Sequence, residues 1–135
     1  MTYPEVFSKL TYETAIIIFL KKNGEVRIML GTRNLATVSL LYGFQGQVLG
    51  GHDIRCNINN GNIAVYDMIL GDARSFNIDR LVDIQFCGVV TNRKEYDEVL
   101  QKYVSFKDEY EKTKPMQITM DSFGGAQWLN YYSIA

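Results

Sequence analysis

Residues 12–30 read YETAIIIFL, then KKNG, then EVRIML, and this stretch decides the fold class. The first part is rich in β-branched and aromatic side chains, and the last part begins with alternating polar and apolar residues. Asn23-Gly24 lies between them and supplies two residues that tolerate the positive φ angles of a type I′ turn. The stretch therefore predicts an antiparallel β-hairpin.

Three more strand-like stretches follow after residue 60. Residues 63–67 form an apolar run, residues 73–78 alternate, and residues 81–90 alternate with Val82, Ile84 and Phe86 on one face. Turn residues at 70–72 and 79–80 separate them. Several short antiparallel strands are typical of a small barrel, because closure removes the exposed edges at which sheets aggregate. The sequence therefore predicts a five-stranded antiparallel barrel.

The connection between the second and third strands, residues 31–62, is long and rich in glycine. A connection of this length is expected to form an excursion of its own, with a short strand or helical turn at residues 35–41. Long connections on a rigid scaffold often carry binding sites.

After residue 93 the spacing of apolar residues becomes helical. Tyr96, Val99, Tyr103, Phe106 and Tyr110 recur every three or four positions. Thr91 or Asn92 is expected to cap this helix and Pro115 to end it, and the aromatic tail 116–135 is expected to pack back on the protein. We therefore predict a mainly β (α+β) chain, with a barrel over residues 1–92 and one C-terminal amphipathic helix and packed tail over residues 93–135.

Composition and charge exclude several classes of protein. The 15 acidic and 14 basic residues give a net charge of −1, so bulk charge does not attract polyanions, and nucleic-acid binding would need a local patch. The apolar runs are too short to span a membrane, and the N-terminus does not resemble a secretory signal. We therefore expect a cytoplasmic protein without a membrane partner, whose Cys56 and Cys87 are reduced, structural thiols.

The residues that could carry chemistry are sparse. His52 is the only histidine, and Cys56 is the nearest nucleophile to it in the sequence. Two cysteines and one histidine cannot complete a zinc site without carboxylates. The glycine-rich segment 43–51 contains no basic residue, unlike a phosphate-binding loop. The sequence therefore predicts a non-enzymatic protein with no catalytic, metal or cofactor site.

Two sets of residues are candidate binding surfaces. The candidate nucleic-acid face combines basic residues near strand ends with one aromatic ring: Lys21, Lys22, Arg27, Arg74, Arg80 and Tyr66. Scattered solubilising charges are the alternative interpretation. The candidate protein interface is the helical stripe with one tail residue: Tyr96, Val99, Tyr103, Phe106, Tyr110 and Trp128. Packing of the stripe over the open end of the barrel is the alternative, and a homodimer would also use it.

Three blocks of sequence carry a family likeness: residues 21–30 (KKNGEVRIML), 60–67 (NGNIAVYD) and 71–81 (GDARSFNIDRL). They resemble the Sm-like, SH3-type β-barrel family related to WYL domains, which is common in tailed bacteriophages. Ala73 stands where that family often has an aromatic residue, Asn77 stands where it often has a basic one, and Arg27 is displaced from the usual position. The resemblance implies an SH3/Sm-like barrel that binds a partner, with no catalytic centre carried over.

Three functions follow as expectations from this likeness and the candidate surfaces. The first is a bacteriophage accessory protein that binds a host or phage protein in the host cytoplasm, in a host-takeover or anti-defence role. The second is a nucleic-acid-binding barrel that holds DNA or RNA on the basic face. The third is a structural component of the virion.

Overall fold

The computed structural model describes residues 1–42 and 56–121 of the chain. Within these residues the chain forms three α-helices, five β-strands and one 3₁₀ turn. In chain order they are α1 (Tyr3–Tyr12), β1 (Ala15–Leu20), β2 (Val26–Thr32), α2 (Leu35–Tyr42), β3 (Asn62–Asp67), β4 (Asp72–Asn77), the 3₁₀ turn (Ile78–Arg80), β5 (Leu81–Phe86) and α3 (Arg93–Asp121). By compactness the chain divides into two units, Met1–Leu100 and Gln101–Ala135.

The predicted hairpin is confirmed, but its turn has a different geometry. β1 and β2 pair antiparallel, with Leu20 opposite Val26 next to the turn. The Gly24 N–H donates to the Lys21 carbonyl at 2.9 Å, and the Lys21 N–H donates to the Glu25 carbonyl at 2.8 Å. Gly24 has a φ of +87°, whereas no non-glycine residue that the structure describes has a positive φ. The connection is therefore a type I turn followed by a glycine bulge, because Asn23 does not adopt the positive φ that type I′ requires.

The five strands form one antiparallel sheet that curls on itself. The strand order is β4-β3-β2-β1-β5, so β4 and β5 lie at opposite edges. Only the short 3₁₀ turn separates them in sequence, and the two edges must therefore approach each other. The rings of Phe19 on β1 and Phe76 on β4 lie 5.9 Å apart, although two strands separate β1 from β4 in the sheet. This curvature is that of a small barrel, as the strand pattern predicts.

A β-bulge changes which residues of β5 face the core. Ile18 pairs with Asp83 while the next residue, Phe19, pairs with Leu81, so Val82 is the extra residue on β5. Leu81, Ile84 and Phe86 pack against the core. The alternating sequence pattern predicted that Val82 would face the core instead, because alternation alone does not reveal an extra residue in one strand. β5 also ends at Phe86, four residues before the predicted end.

Helix α1 closes the core and is absent from the predicted elements. Val6 and Leu10 are fully buried and join the cluster formed by Ala15, Ile17 and Phe19 on alternate positions of β1. The cluster is completed from the neighbouring strands by Met29, Ile63, Val65 and Phe76. β1 begins at Ala15 rather than at Tyr12, because Tyr12 still belongs to α1.

A capping box stabilises the first turn of α1, and this stabilisation depends on pH. The Glu5 carboxylate accepts hydrogen bonds from the Thr2 hydroxyl at 2.8 Å and from the Thr2 N–H at 3.2 Å, while the Glu5 N–H donates to the Thr2 hydroxyl. These bonds, the hydroxyl's first, hold the pKa of Glu5 below its ordinary value of 4.5. Because the folded pKa is lowered, the stabilisation is present near neutral pH and is lost as the pH falls through that pKa.

We therefore expect Thr2→Ala to move the pKa of Glu5 part of the way back toward its ordinary value, since the hydroxyl is lost and the backbone donor remains. Thr2→Ser keeps a hydroxyl at the same position and should keep the lowered pKa. An NMR titration of the Glu5 carboxyl carbon measures both variants. An unchanged pKa in Thr2→Ala would show that the hydroxyl does not stabilise the carboxylate.

The remaining helices confirm two predictions and correct a third. α2 forms the helical turn expected inside the long connection, and the Asn92 side chain caps α3 by accepting from the Glu95 N–H at 2.9 Å. α3 continues past Pro115 to Asp121, so the prediction that Pro115 ends the helix is wrong. A proline removes one backbone donor and often bends a helix instead of ending it. Among the described residues no helix has the length and apolar character needed to cross a lipid bilayer.

Candidate nucleic-acid interface

A cleft of about 600 Å³ opens where the β1–β2 turn, the start of β3 and the end of β4 meet. Five cationic side chains line it: Lys21, Lys22, Arg27, Arg74 and Arg80. The other lining residues are Phe19, Leu20, Asn60, Asn62, Ser75, Phe76 and Asn77. We call this site the basic cleft. It lies entirely within the first compact unit.

The five cations reach the basic cleft from four different elements. Lys21 and Lys22 belong to the hairpin turn, Arg27 lies on β2 opposite Phe19, and Arg74 lies on β4. Arg80 comes from the 3₁₀ turn, and its guanidinium donates to the Lys21 carbonyl at 3.1 Å. That hydrogen bond joins the β4–β5 connection to the hairpin. The curvature of the sheet therefore gathers charges that are up to 59 residues apart in sequence.

The charges of the basic cleft are largely uncompensated. No carboxylate stands among the lining residues. The Lys21 ammonium lies 3.4 Å from the exposed Glu25 carboxylate, and in the described parts of the chain Lys22, Arg27 and Arg74 form no ion pair. Five like charges around one concave surface raise the local positive potential and attract anions. A chain of net charge −1 thus carries one strongly positive site.

The floor of the basic cleft is apolar and rigid. Phe19 and Phe76 both line it, yet they are only 6% and 3% exposed. Both rings belong to the core cluster beneath the sheet. Tightly packed side chains therefore hold in place the strands that carry Arg27 and Arg74 and that flank the turns of the other three cations.

One side of the basic cleft is a rim of three asparagines held by hydrogen bonds. The Asn77 amide donates to the Asn60 carbonyl at 2.7 Å and to the Asn62 Oδ1 at 3.1 Å, and its own Oδ1 accepts from the Asp79 N–H at 2.8 Å. The Tyr3 hydroxyl of α1 donates to the Asn62 carbonyl at 2.8 Å. Partial burial is the main cause that raises the pKa of Tyr3 above its ordinary value.

The structure thus brings together five of the six residues predicted for the nucleic-acid face. The sixth, Tyr66, is only 1% exposed, and its hydroxyl donates to the Gly71 carbonyl at 2.7 Å. Because its side chain is buried, Tyr66 offers no exposed ring face on which a base could stack. The sequence pattern did not indicate the asparagine rim, because asparagine beside glycine is also the ordinary composition of a turn.

The aromatic stripe of the C-terminal helix is buried in the single chain. Tyr96, Val99, Tyr103 and Tyr110 are between 5% and 8% exposed, and Phe106 is partly buried. Trp128 lies outside the described residues, as does the predicted packing of the tail. A protein interface through the stripe stays a prediction, and it would require these side chains to become exposed first.

The residues considered for catalysis give no assembled site in the part of the chain that the structure describes. His52 and the glycine-rich segment 43–51 lie outside it. Cys56 is a free thiol whose sulfur accepts from the Ala64 N–H at 3.2 Å and from the Arg33 guanidinium at 3.1 Å. No group of three or more histidine, cysteine or acidic residues within the described ranges could hold a metal ion.

Comparison with known proteins identifies the fold family. A family model described as WYL_2, Sm-like SH3 beta-barrel fold, matches residues 5–82, which span α1 to the first residues of β5. The match confirms the resemblance carried by residues 21–30, 60–67 and 71–81. No curated protein and no solved structure matches the chain.

Proposed function

We propose that this chain, which belongs to the WYL_2 family of Sm-like SH3 β-barrels, binds nucleic acid through the basic cleft. The observation that carries the proposal is the convergence of five cations, from four elements, on one cleft without a lining carboxylate. A positively charged groove that follows a phosphate backbone is the common feature of proteins that bind nucleic acid without strict sequence preference.

The alternative that the basic residues are scattered solubilising charges fits the structure less well. Solubilising charges are expected to be interspersed with acidic residues over the surface. Arg27 and Lys21 are instead only partly exposed, and Arg80 bonds to the backbone of the hairpin turn. Mutual repulsion among these side chains disfavours the empty site, and phosphate groups would relieve it.

Salt dependence gives the proposal a quantitative form. Each neutralised phosphate releases counterions, and for single strands the slope of log K against log salt is about −0.7 per contact. If all five cations contact phosphates, the slope is about −3.5. Replacing two of them should reduce it to about −2.

We expect the double substitution Arg27→Ala with Arg74→Ala to weaken binding of a mixed-sequence oligonucleotide by roughly tenfold at low salt, because two phosphate contacts are lost. The measurement is fluorescence anisotropy with labelled DNA and RNA, titrated over a range of salt concentrations. Both side chains project from strand surfaces, so the variant should keep the circular-dichroism spectrum of the unmodified protein.

The matched control removes one charge outside the basic cleft. Lys94 is exposed on α3 and does not line the cleft, so Lys94→Ala should leave both the affinity and the salt slope unchanged. The proposal fails if the unmodified protein binds neither DNA nor RNA at about 50 mM salt, conditions that favour phosphate contacts. It also fails if Lys94→Ala weakens binding by about threefold, half of the double variant's effect in free energy, because each lost charge would then count equally wherever it lies.

A further inference from the structure

The rim of the basic cleft presents amide groups that the protein itself leaves unused. Both N–H groups of the Asn77 amide donate hydrogen bonds, and its Oδ1 accepts one. Asn62 uses only its Oδ1, and within the described structure the Asn60 side chain makes no hydrogen bond. One complete amide and one amide NH₂ group are therefore available at the rim.

The backbone that carries these amides is held in place on both sides. The Asn57 and Asn62 main chains exchange hydrogen bonds of 2.9 and 3.1 Å across a short turn, and the Ile78 N–H donates to the Gly61 carbonyl at 2.8 Å. Asn60 itself is fixed through its carbonyl, which accepts from Asn77. A side chain on a fixed backbone loses less freedom on contact with a ligand, which lowers the entropic cost of that contact.

Amide and cationic groups recognise different parts of a nucleotide. Lysine and arginine neutralise phosphates, and these contacts carry no sequence information. An asparagine amide offers a donor and an acceptor side by side, which matches the donor and acceptor pairs on the edges of bases. The basic cleft contains both kinds of group within about 600 Å³, a volume in the range of sites that bind small ligands.

We propose that Asn60 and Asn62 bind the edge of an unpaired base whose phosphate lies among the cations, so that the basic cleft selects between bases on a single strand. This inference rests on the proposed nucleic-acid binding and adds to it a preference for certain bases. An unpaired base is the expected ligand because its Watson–Crick edge is free and it can turn outward toward protein side chains, whereas a duplex exposes only its groove edges.

The test compares single-stranded homopolymers of A, C and U, each about 10 nucleotides long, with a duplex of the same length. We expect the unmodified protein to prefer one homopolymer over the others by roughly tenfold and to bind the duplex more weakly. In Asn60→Ala this preference should fall to about twofold or less, while the salt slope stays the same, because the phosphate contacts remain. Asn60→Ala keeps the backbone carbonyl that Asn77 contacts, so the rim should stay folded.

Asn59→Ala is the matched control, because Asn59 is exposed in the same turn and does not line the basic cleft. This variant should keep the full preference. Equal binding of all three homopolymers, tighter binding of the duplex, or an unchanged preference in Asn60→Ala would overturn base reading while leaving the nucleic-acid proposal intact. If the unmodified protein binds no strand at all, the proposed function itself fails.

Discussion

Leu10→Ala is expected to lower the free energy of unfolding by about 2–5 kcal/mol, the range for removing a buried leucine from a packed core. Leu10 is fully buried and packs with Val6, Ile17 and Val65 in the core cluster. Its backbone carbonyl also accepts from the Arg33 N–H at 2.8 Å, which fixes the helix against the end of β2 and limits collapse into the cavity. Domains of this kind have total stabilities of about 5–15 kcal/mol, so the loss should be severe.

Urea denaturation followed by circular dichroism measures this effect, and thermal unfolding should show a fall in Tm of roughly 10 °C. Tyr12→Ala is the comparison, because Tyr12 belongs to the same helix and is 64% exposed. This substitution should change the unfolding free energy by no more than about 0.5 kcal/mol. Equal stabilities of the two variants would mean that α1 does not form part of the core.

Helix α1 was not among the predicted elements, whereas the β1–β2 hairpin was. The hairpin could be predicted because its strands and its turn are adjacent in sequence, so local preferences alone specify it. The apolar residues of α1 do follow the i, i+3, i+4, i+7 spacing of an amphipathic helix, and they pack in or against the core cluster: Tyr3, Val6, Phe7 and Leu10. The start of the helix was also visible in the sequence, because Thr2 and Glu5 form a capping box around Pro4 in the first turn. That signal would have identified the helix.

The basic cleft was predictable only in part, for a related reason. Charges near strand ends indicated Lys21, Arg27 and Arg74, because strand ends gather at the openings of a barrel. The asparagine rim lies beside those charges because of long-range contacts, such as the hydrogen bond between Asn60 and Asn77, which are 17 residues apart. The orientation of Tyr66 likewise depends on strand register, which periodicity alone left undetermined. Local patterns therefore identified the charged residues of the site but not its hydrogen-bonding groups.

Gly61→Ala should be the most damaging single change to the asparagine rim. Gly61 has a φ of +77°, and a Cβ atom there would lie 3.0 Å from the Asn77 Oδ1 and 3.1 Å from the Ile78 Cγ2. The positive φ alone costs a non-glycine residue about 1–2 kcal/mol. The close contacts add roughly 1–3 kcal/mol, because Asn77 must move from a position that three hydrogen bonds define.

Gly88→Ala separates the two contributions, because Gly88 has a φ of +82° and open space where its Cβ would lie. Urea denaturation should therefore show a loss of about 1–2 kcal/mol for Gly88→Ala and a clearly larger loss for Gly61→Ala. If the rim recognises bases, Gly61→Ala should also abolish the preference for one homopolymer. Its salt slope should stay close to that of the unmodified protein, because the phosphate contacts remain. Gly88→Ala should keep the preference. A Gly61→Ala protein that is as stable as Gly88→Ala and still selects one base would show that the position of Asn77 does not control the rim.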